Sequence, residues 1–258
     1  DPSSSENEEE SSPCGRTNTN ATKSRRGPYK NKATGVYYKT YDDYFRDVVP
    51  PSLDVEGLCH SYNSHWMFRH SKDYVDGGMD LDQNDDQAVI FPCTALAVAK
   101  IVESCHWLYD HSSPIGTRLE GTVVTIINRS EILGRPLAAM LANDGAIVYS
   151  IDVDSTLLFQ SGGKMKYLTG PEATVEHCVK NSSVVVTGVP SEDFNIPAQW
   201  IRFGSTVINV ASEINVDEEE LRDVPGVFYV PQVGKITVAL LEHNLMLLHR
   251  RFHAQTTE

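Results

Sequence analysis

The chain has 258 residues and a mass of 28.6 kDa, room for one large domain or two small ones. Apolar residues make up 40% and charged residues 22%, a globular balance that excludes a wholly disordered or fibrous chain. A formal charge of −13 excludes a grip on nucleic acid or an anionic membrane by bulk electrostatics. The sequence holds no run of 18 apolar residues, so no transmembrane helix is expected.

Residues 1–27 are Ser, Glu, Asn, Thr and Arg with almost nothing apolar, and are expected to form a disordered tail. An aromatic stretch, GVYYKTYDDYF, and then VVPPSLDVEGL follow, with Pro50–Pro51 barring a helix. Between residues 72 and 87 stand six Asp with Gly77–Gly78. This is expected to be an exposed loop, because the fixed order of a calcium loop is missing. Cys59, His60, His65 and His70 invite a metal reading. No second Cys or acidic partner is placed to close the site, and none is assigned. His249 and His253 are read as surface residues of a last helix. The five cysteines are odd in number and lack a C-x-x-C pair, which points to reduced thiols and a cytoplasmic location.

From Pro92 the pattern becomes regular. Thr94 is placed to cap a helix carrying Leu96, Val98, Ile101, Val102 and Cys105 at helical spacing. TVVTIIN (122–128) is a buried strand by its apolar run. Pro136–Leu141 suits a helix, Asn143-Asp144-Gly145 a turn and AIVYSI (146–151) the next strand. SSVVVTGV (182–189), STVINVA (205–211) and VFYV (227–230) read as three more strands. A long helix is expected from Ile236 to Phe252, with Ile236, Leu240, Leu241, Leu245 and Leu248 on one side. Strands alternating with helices predict an α/β fold, a parallel βαβ sheet covered on both faces.

The strand at 122–128 runs through Asn128-Arg129-Ser130-Glu131-Ile132-Leu133-Gly134 into a helix. In a Rossmann sheet that junction holds a pyrophosphate against free helix N–H groups. The usual G-x-G-x-x-G is not present; Gly134 alone permits close backbone approach. Asp152 ends the next strand, 18 residues beyond Gly134. A carboxylate there accepts from the ribose hydroxyls of NAD and repels the 2′-phosphate of NADP, unless Asp152 merely opens a loop. Arg129 suits a 2′-phosphate or a pyrophosphate oxygen, and Asp152 nearby favours the second. Cys93, at a helix N-terminus, is either a thiol of lowered pKa or a small buried apolar residue.

DVEGL (54–58), FPCTALAV (91–98), INRSEILGRPLAAMLANDGAIVYSIDVD (127–154), VVVTGVPSEDF (184–194), STVINVASEIN (205–215) and YVPQVGKITVALLEHNLMLL (229–248) together resemble the methylenetetrahydrofolate dehydrogenase/cyclohydrolase family. Within it they are most similar to the NAD-dependent monofunctional eukaryotic branch. The family uses R-S-x-x-x-G-x-P in place of G-x-G-x-x-G. The resemblance implies a Rossmann domain joined to an α/β folate domain across a cleft. It also implies NAD-dependent oxidation of 5,10-methylenetetrahydrofolate to the methenyl form, serving one-carbon metabolism and purine biosynthesis.

By this similarity Arg129, Ser130, Gly134 and Thr94 contact the cofactor, and Asp152 with Val153 its adenosine ribose. Cys93 is the active-site residue, Glu56 meets the pterin, and Pro231, Gly234 and Thr237 belong to the C-terminal cleft motif. The implied organisation is a tail (1–27), a partial folate domain (28–92), a nucleotide domain (93–235, with 93–108 a linking helix) and a helix (236–258) returning to the folate domain. A homodimer is also implied. No Tyr is followed by Lys four residues later, so no cyclohydrolase activity is expected. The alternative is a truncated or inactive NAD-binding protein without folate turnover.

Overall fold

The computed structural model describes residues 29–30, 37–38, 41–59, 62 and 90–254. The expected tail, the Asp-rich loop and His60, His65 and His70 lie outside the described residues. Two compact units divide between Phe45 and Arg46. In the first, strands β1 (Tyr29–Lys30) and β2 (Tyr37–Tyr38) pair antiparallel, Tyr29 opposite Tyr38. Helix α1 (Tyr41–Val48) begins there, and Tyr38 meets Tyr44 edge-on with ring centroids 5.7 Å apart.

The second unit takes in the end of α1 and the segment bearing Asp54–Glu56, and then α2 (Cys93–Ser104). Then come β3 (Val123–Ile127), α3 (Gly134–Asn143), β4 (Ile147–Ile151), β5 (Thr156–Gln160) and β6 (Lys164–Leu168). They are followed by α4 (Val175–Lys180), β7 (Val184–Thr187), β8 (Thr206–Asn209), α5 (Glu218–Arg222), β9 (Phe228–Val230) and α6 (Gly234–Leu248). The sheet order is β6-β5-β4-β3-β7-β8-β9. From β4 to β9 the neighbours are parallel, while β5 and β6 run antiparallel at one edge. The expected parallel βαβ sheet thus runs from β4 to β9, and at the other edge the chain adds a hairpin, turning straight back after β4 instead of crossing over through a helix.

The apolar strands still sort their side chains with period two. Val124, Ile126, Val148, Val184, Val186 and Ile208 face α2 and α3, where Leu137 and Met140 complete a core with no exposure. Ile127, Ile151, Val185 and Val207 face the opposite layer, with Val179 of α4 and Leu221 of α5. Full burial of a side chain such as Leu137 contributes about 1.5–3 kcal/mol, so this two-sided core holds the sheet rigid.

Two helix expectations are corrected. Helix α2 starts at Cys93, and Pro92, not Thr94, stands before it without a side-chain cap. The Cys93 N–H instead donates to the Glu56 carbonyl at 3.3 Å. On α6 the buried residues are Asn244, Leu247 and Leu248, while Ile236 and Leu245 of the expected stripe are exposed. The face is rotated because the Asn244 amide finds backbone acceptors inside.

Candidate functional site

Strand register sets the site. Ile127 lies level with both Ile151 and Thr187, and Thr187 with Asn209. The loops leaving β3, β4, β7 and β8 therefore emerge in one row at the carboxyl edge, where open α/β sheets bind ligands.

Asn128 turns the chain out of β3 with φ of 84°, a left-handed conformation that Asn tolerates better than other side-chain-bearing residues. Its Nδ2 donates to the Gly188 carbonyl at 2.6 Å and ties this loop to the one after β7. The Ser130 hydroxyl accepts from the Leu133 N–H at 3.2 Å, and its carbonyl accepts from the Arg135 N–H at 3.0 Å. Gly134 opens α3. A Cβ there would stand 2.3 Å from the Asn128 carbonyl oxygen and 2.8 Å from the Arg129 Cα. The missing side chain thus lets the helix pack on its own entry loop. No side chain caps α3, but the Arg135 N–H is taken by the Ser130 carbonyl and that of Leu137 by the Leu133 carbonyl, and Pro136 has none, which leaves the Gly134 N–H to meet an anion.

Arg129 lies largely buried. Its guanidinium donates to the Ser150 carbonyl at 3.0 Å and to the Ser155 hydroxyl, and sits 3.7 Å from the Asp152 carboxylate. It cross-links the β3 loop to the turn after β4. The Asp152 side chain is 42% exposed, and Oδ1 accepts from the Val153 N–H at 2.9 Å. Val153 is 95% exposed. Arg129, Ser130, Gly134, Asp152 and Val153 thus belong to one pair of adjoining loops. A charge-neutralised base, an open helix end and an accessible carboxylate suit a dinucleotide's pyrophosphate and ribose.

Cys93, Glu56 and residues of α6 form a second group. Asp54 is buried and accepts from the N–H groups of Gly57 at 3.0 Å and Cys59 at 2.7 Å. This folds DVEGL into a turn that leaves Glu56 exposed. The Cys93 thiol donates to the Val55 carbonyl at 3.2 Å, and Asn244 Nδ2 donates to Cys93 Sγ at 3.3 Å. Burial, reinforced by the Glu56 charge, pushes the Cys93 thiol up to about 11. Of the two readings open for Cys93, the small buried residue is the one its surroundings favour: desolvation outweighs the helix end, and the thiol is protonated near neutral pH. Thr94 is half-buried in the first turn of α2.

Pro231 follows β9, and its carbonyl accepts from Asn209 Nδ2 at 3.4 Å. The same amide donates to the Ala211 and Glu213 carbonyls, which draws the loops after β8 and β9 together. Gly234 is the exposed first residue of α6, and the Thr237 hydroxyl donates to the Val233 carbonyl at 3.2 Å. Among the described residues no group of three His, Cys, Asp or Glu is gathered to hold a metal ion. Cys59, Cys93, Cys105 and Cys178 are free and buried. No described helix is long and apolar enough to cross a membrane. Sequence reasoning missed Asn128, Asn209 and Asn244. Asn128 carried a faint signal, an Asn directly after an apolar strand.

A parallel sheet with an open helix N-terminus after its first strand and a carboxylate after its second defines a Rossmann-type dinucleotide-binding protein. Residues 92–253 match the tetrahydrofolate dehydrogenase/cyclohydrolase, NAD(P)-binding domain, and the chain belongs to that family. A methylenetetrahydrofolate dehydrogenase [NAD(+)] of Dictyostelium discoideum is 41% identical over 219 residues, covering 83% of this chain and 66% of the relative. The enzyme of the same name from Schizosaccharomyces pombe is 39% identical over 223 residues, with the same coverage. Among solved structures, the NAD-dependent 5,10-methylenetetrahydrofolate dehydrogenase of Saccharomyces cerevisiae superposes with a TM-score of 0.68 at 35% identity, covering 84% of this chain and 68% of that one. The chain thus spans just under two thirds of the length of the curated relatives it matches.

Proposed function

We propose that this chain oxidises 5,10-methylenetetrahydrofolate to 5,10-methenyltetrahydrofolate with NAD, in one-carbon metabolism. The observation that carries the reading is the accessible Asp152 carboxylate at the end of β4, beside the uncapped start of α3. It is supported by relatives about 40% identical that are named as NAD-dependent methylenetetrahydrofolate dehydrogenases.

NAD, when bound, supplies the hydride acceptor. The Ser130 hydroxyl and the Gly134 N–H bind its pyrophosphate, with Arg129 neutralising charge behind them and Gly134 allowing the loop its close approach. Asp152 and the Val153 backbone take the adenosine ribose. The exposed Glu56 carboxylate accepts from the pterin's N–H groups. Cys93 and Thr94 line the cleft from α2, and Pro231, Gly234 and Thr237 close it from the start of α6. Hydride transfer needs orientation more than proton chemistry, which suits a thiol kept neutral.

Residues 93–235 are read as the nucleotide domain and 28–92 as part of the folate side. The last helix, 236–258, returns to the folate side, a reading supported by the Asn244 bond to the Val55 carbonyl. Four free buried thiols support a cytoplasmic location. The edge strand β6, with Met165 and Tyr167 exposed, suits a homodimer contact. The sequence supplies no Tyr-x-x-x-Lys, and no cyclohydrolase step is assigned to it.

The test is absorbance of NADH formed from methylenetetrahydrofolate and NAD by the purified chain. Turnover with NAD and little with NADP is expected. Thermal stabilisation by NAD without any turnover would refute the dehydrogenase reading.

A further inference from the structure

Asn244 is 2% exposed and lies 189 residues from Val55 along the chain. Its Nδ2 stands 2.9 Å from the Val55 carbonyl oxygen, 3.3 Å from that of Phe91 and 3.3 Å from Cys93 Sγ. An amide nitrogen carries two hydrogens, so three acceptors compete for two donors. The short contact to Val55 takes one hydrogen. The other is shared between Phe91 and the sulfur. The Val55 carbonyl also accepts the thiol hydrogen, at 3.2 Å from Sγ. One amide, one carbonyl and one thiol therefore close a triangle, and the next residue after Val55 is Glu56.

We propose that Asn244 is the positioning residue that aims the Cys93 thiol and holds it in register with the Val55–Glu56 peptide. The proposal rests on the reading of Cys93 and Glu56 as cleft residues. Two observations separate this role from simple stapling of a helix. The sulfur is itself one of the acceptors. The second hydrogen is also divided, so it can move wholly to sulfur as charge builds there. Asn244 is accordingly the side chain that opposes the effects of burial and of Glu56 on the thiol.

The test uses the purified 258-residue chain and two variants. Asn244→Leu is close in size and removes both donors without adding a charge; Asn244→Ser is smaller and neutral. The rate at which iodoacetamide modifies Cys93 is followed by peptide mass from about pH 8 to about pH 11. Asn244→Leu is expected to shift that profile upward by about one pH unit, a rate about tenfold lower at a given pH. A profile superimposable on the parent's overturns the proposal.

In the dehydrogenase assay the same variant is expected to lose about tenfold or more in kcat while KM for NAD stays within about twofold. Its loss should shrink in a Cys93→Ser background, because residues acting as a unit are not additive. Strictly additive losses would also overturn it. A parent chain without turnover defeats the proposed reaction and leaves the alkylation profiles to decide the role of Asn244. If Asn244→Leu fails to fold by circular dichroism, Asn244→Ser carries both measurements.

Discussion

Asp152 and Cys93 sit in contrasting surroundings. The carboxylate lies on a turn open to water, with Arg129 behind it and every neighbour drawn from residues 128–155. The thiol is 4% exposed and is held by groups from residues 55, 91 and 244. One centre is made by local chain geometry, the other by packing across nearly the whole second unit. Damage near Asp152 should therefore reach ligand binding first. Damage near Cys93 should reach the ionisation of the thiol and the fold together.

The largest expected effect breaks the local centre from within. Gly134→Ala puts a methyl 2.3 Å from the Asn128 carbonyl oxygen, in a slot walled by backbone. A cost of about 3 kcal/mol is expected, lowering Tm by about 6–12 °C and abolishing stabilisation by NAD. A melting curve within two degrees or so of the parent's would show that the loop yields freely.

Alkaline titration probes the packed centre. Burial raises the thiols of Cys93 and Cys178 from their ordinary value of 9.0 to about 11. In the unfolded chain both ionise near pH 9, whereas the folded chain keeps them protonated. Their contribution is intact below pH 9 and is lost as pH climbs to about 11, at about 2–3 kcal/mol for each thiol. Denaturant midpoints should fall across that window, and Cys93→Ser should flatten part of the fall.

Asp152→Ser sharpens the contrast on the binding side. Loss of charge-assisted hydrogen bonds, worth about 1.5–3 kcal/mol, should weaken NAD about ten- to a hundredfold and admit NADP, with Tm almost unchanged. An unaltered preference measured by fluorescence titration would remove Asp152 from the ribose site. The smallest change is expected from Glu131→Gln. Its ion pair with Arg135 is 2.9 Å long, but both side chains are about two-fifths exposed, so the loss should stay below about 0.5 kcal/mol.

The five parallel strands were legible because buried strands read as apolar runs between turn residues. The loop from Asn128 to Gly134 was legible because strand, loop and helix follow one another directly. The β5–β6 hairpin was not recognised. TLLFQ lacks clean alternation, and KMKYL alternates Lys with Met and Tyr over only four residues. Gly162–Gly163 was the available signal, two positive-φ glycines (77° and 73°) at the turn. Asn244 was invisible for a different reason. Its position on α6 looks like an interruption of an apolar stripe until Val55 and Phe91, far away in sequence, bring acceptors to it. For Cys93 position alone left two readings open, a lowered thiol pKa or a small buried residue, because desolvation depends on neighbours that spacing does not reveal.

The hairpin carries a consequence for how this site can evolve. Ile151 of β4 pairs directly with Thr156 of β5, and the Asp152 N–H donates to the Ser155 carbonyl at 2.9 Å. Only residues 152–155 separate the two strands, so the segment bearing Asp152 and Val153 has almost no slack. An insertion there would open the Asp152–Ser155 hydrogen bond and shift the carboxylate relative to Arg129. Changes in cofactor choice that leave this geometry intact are thereby single substitutions on a turn of constant length.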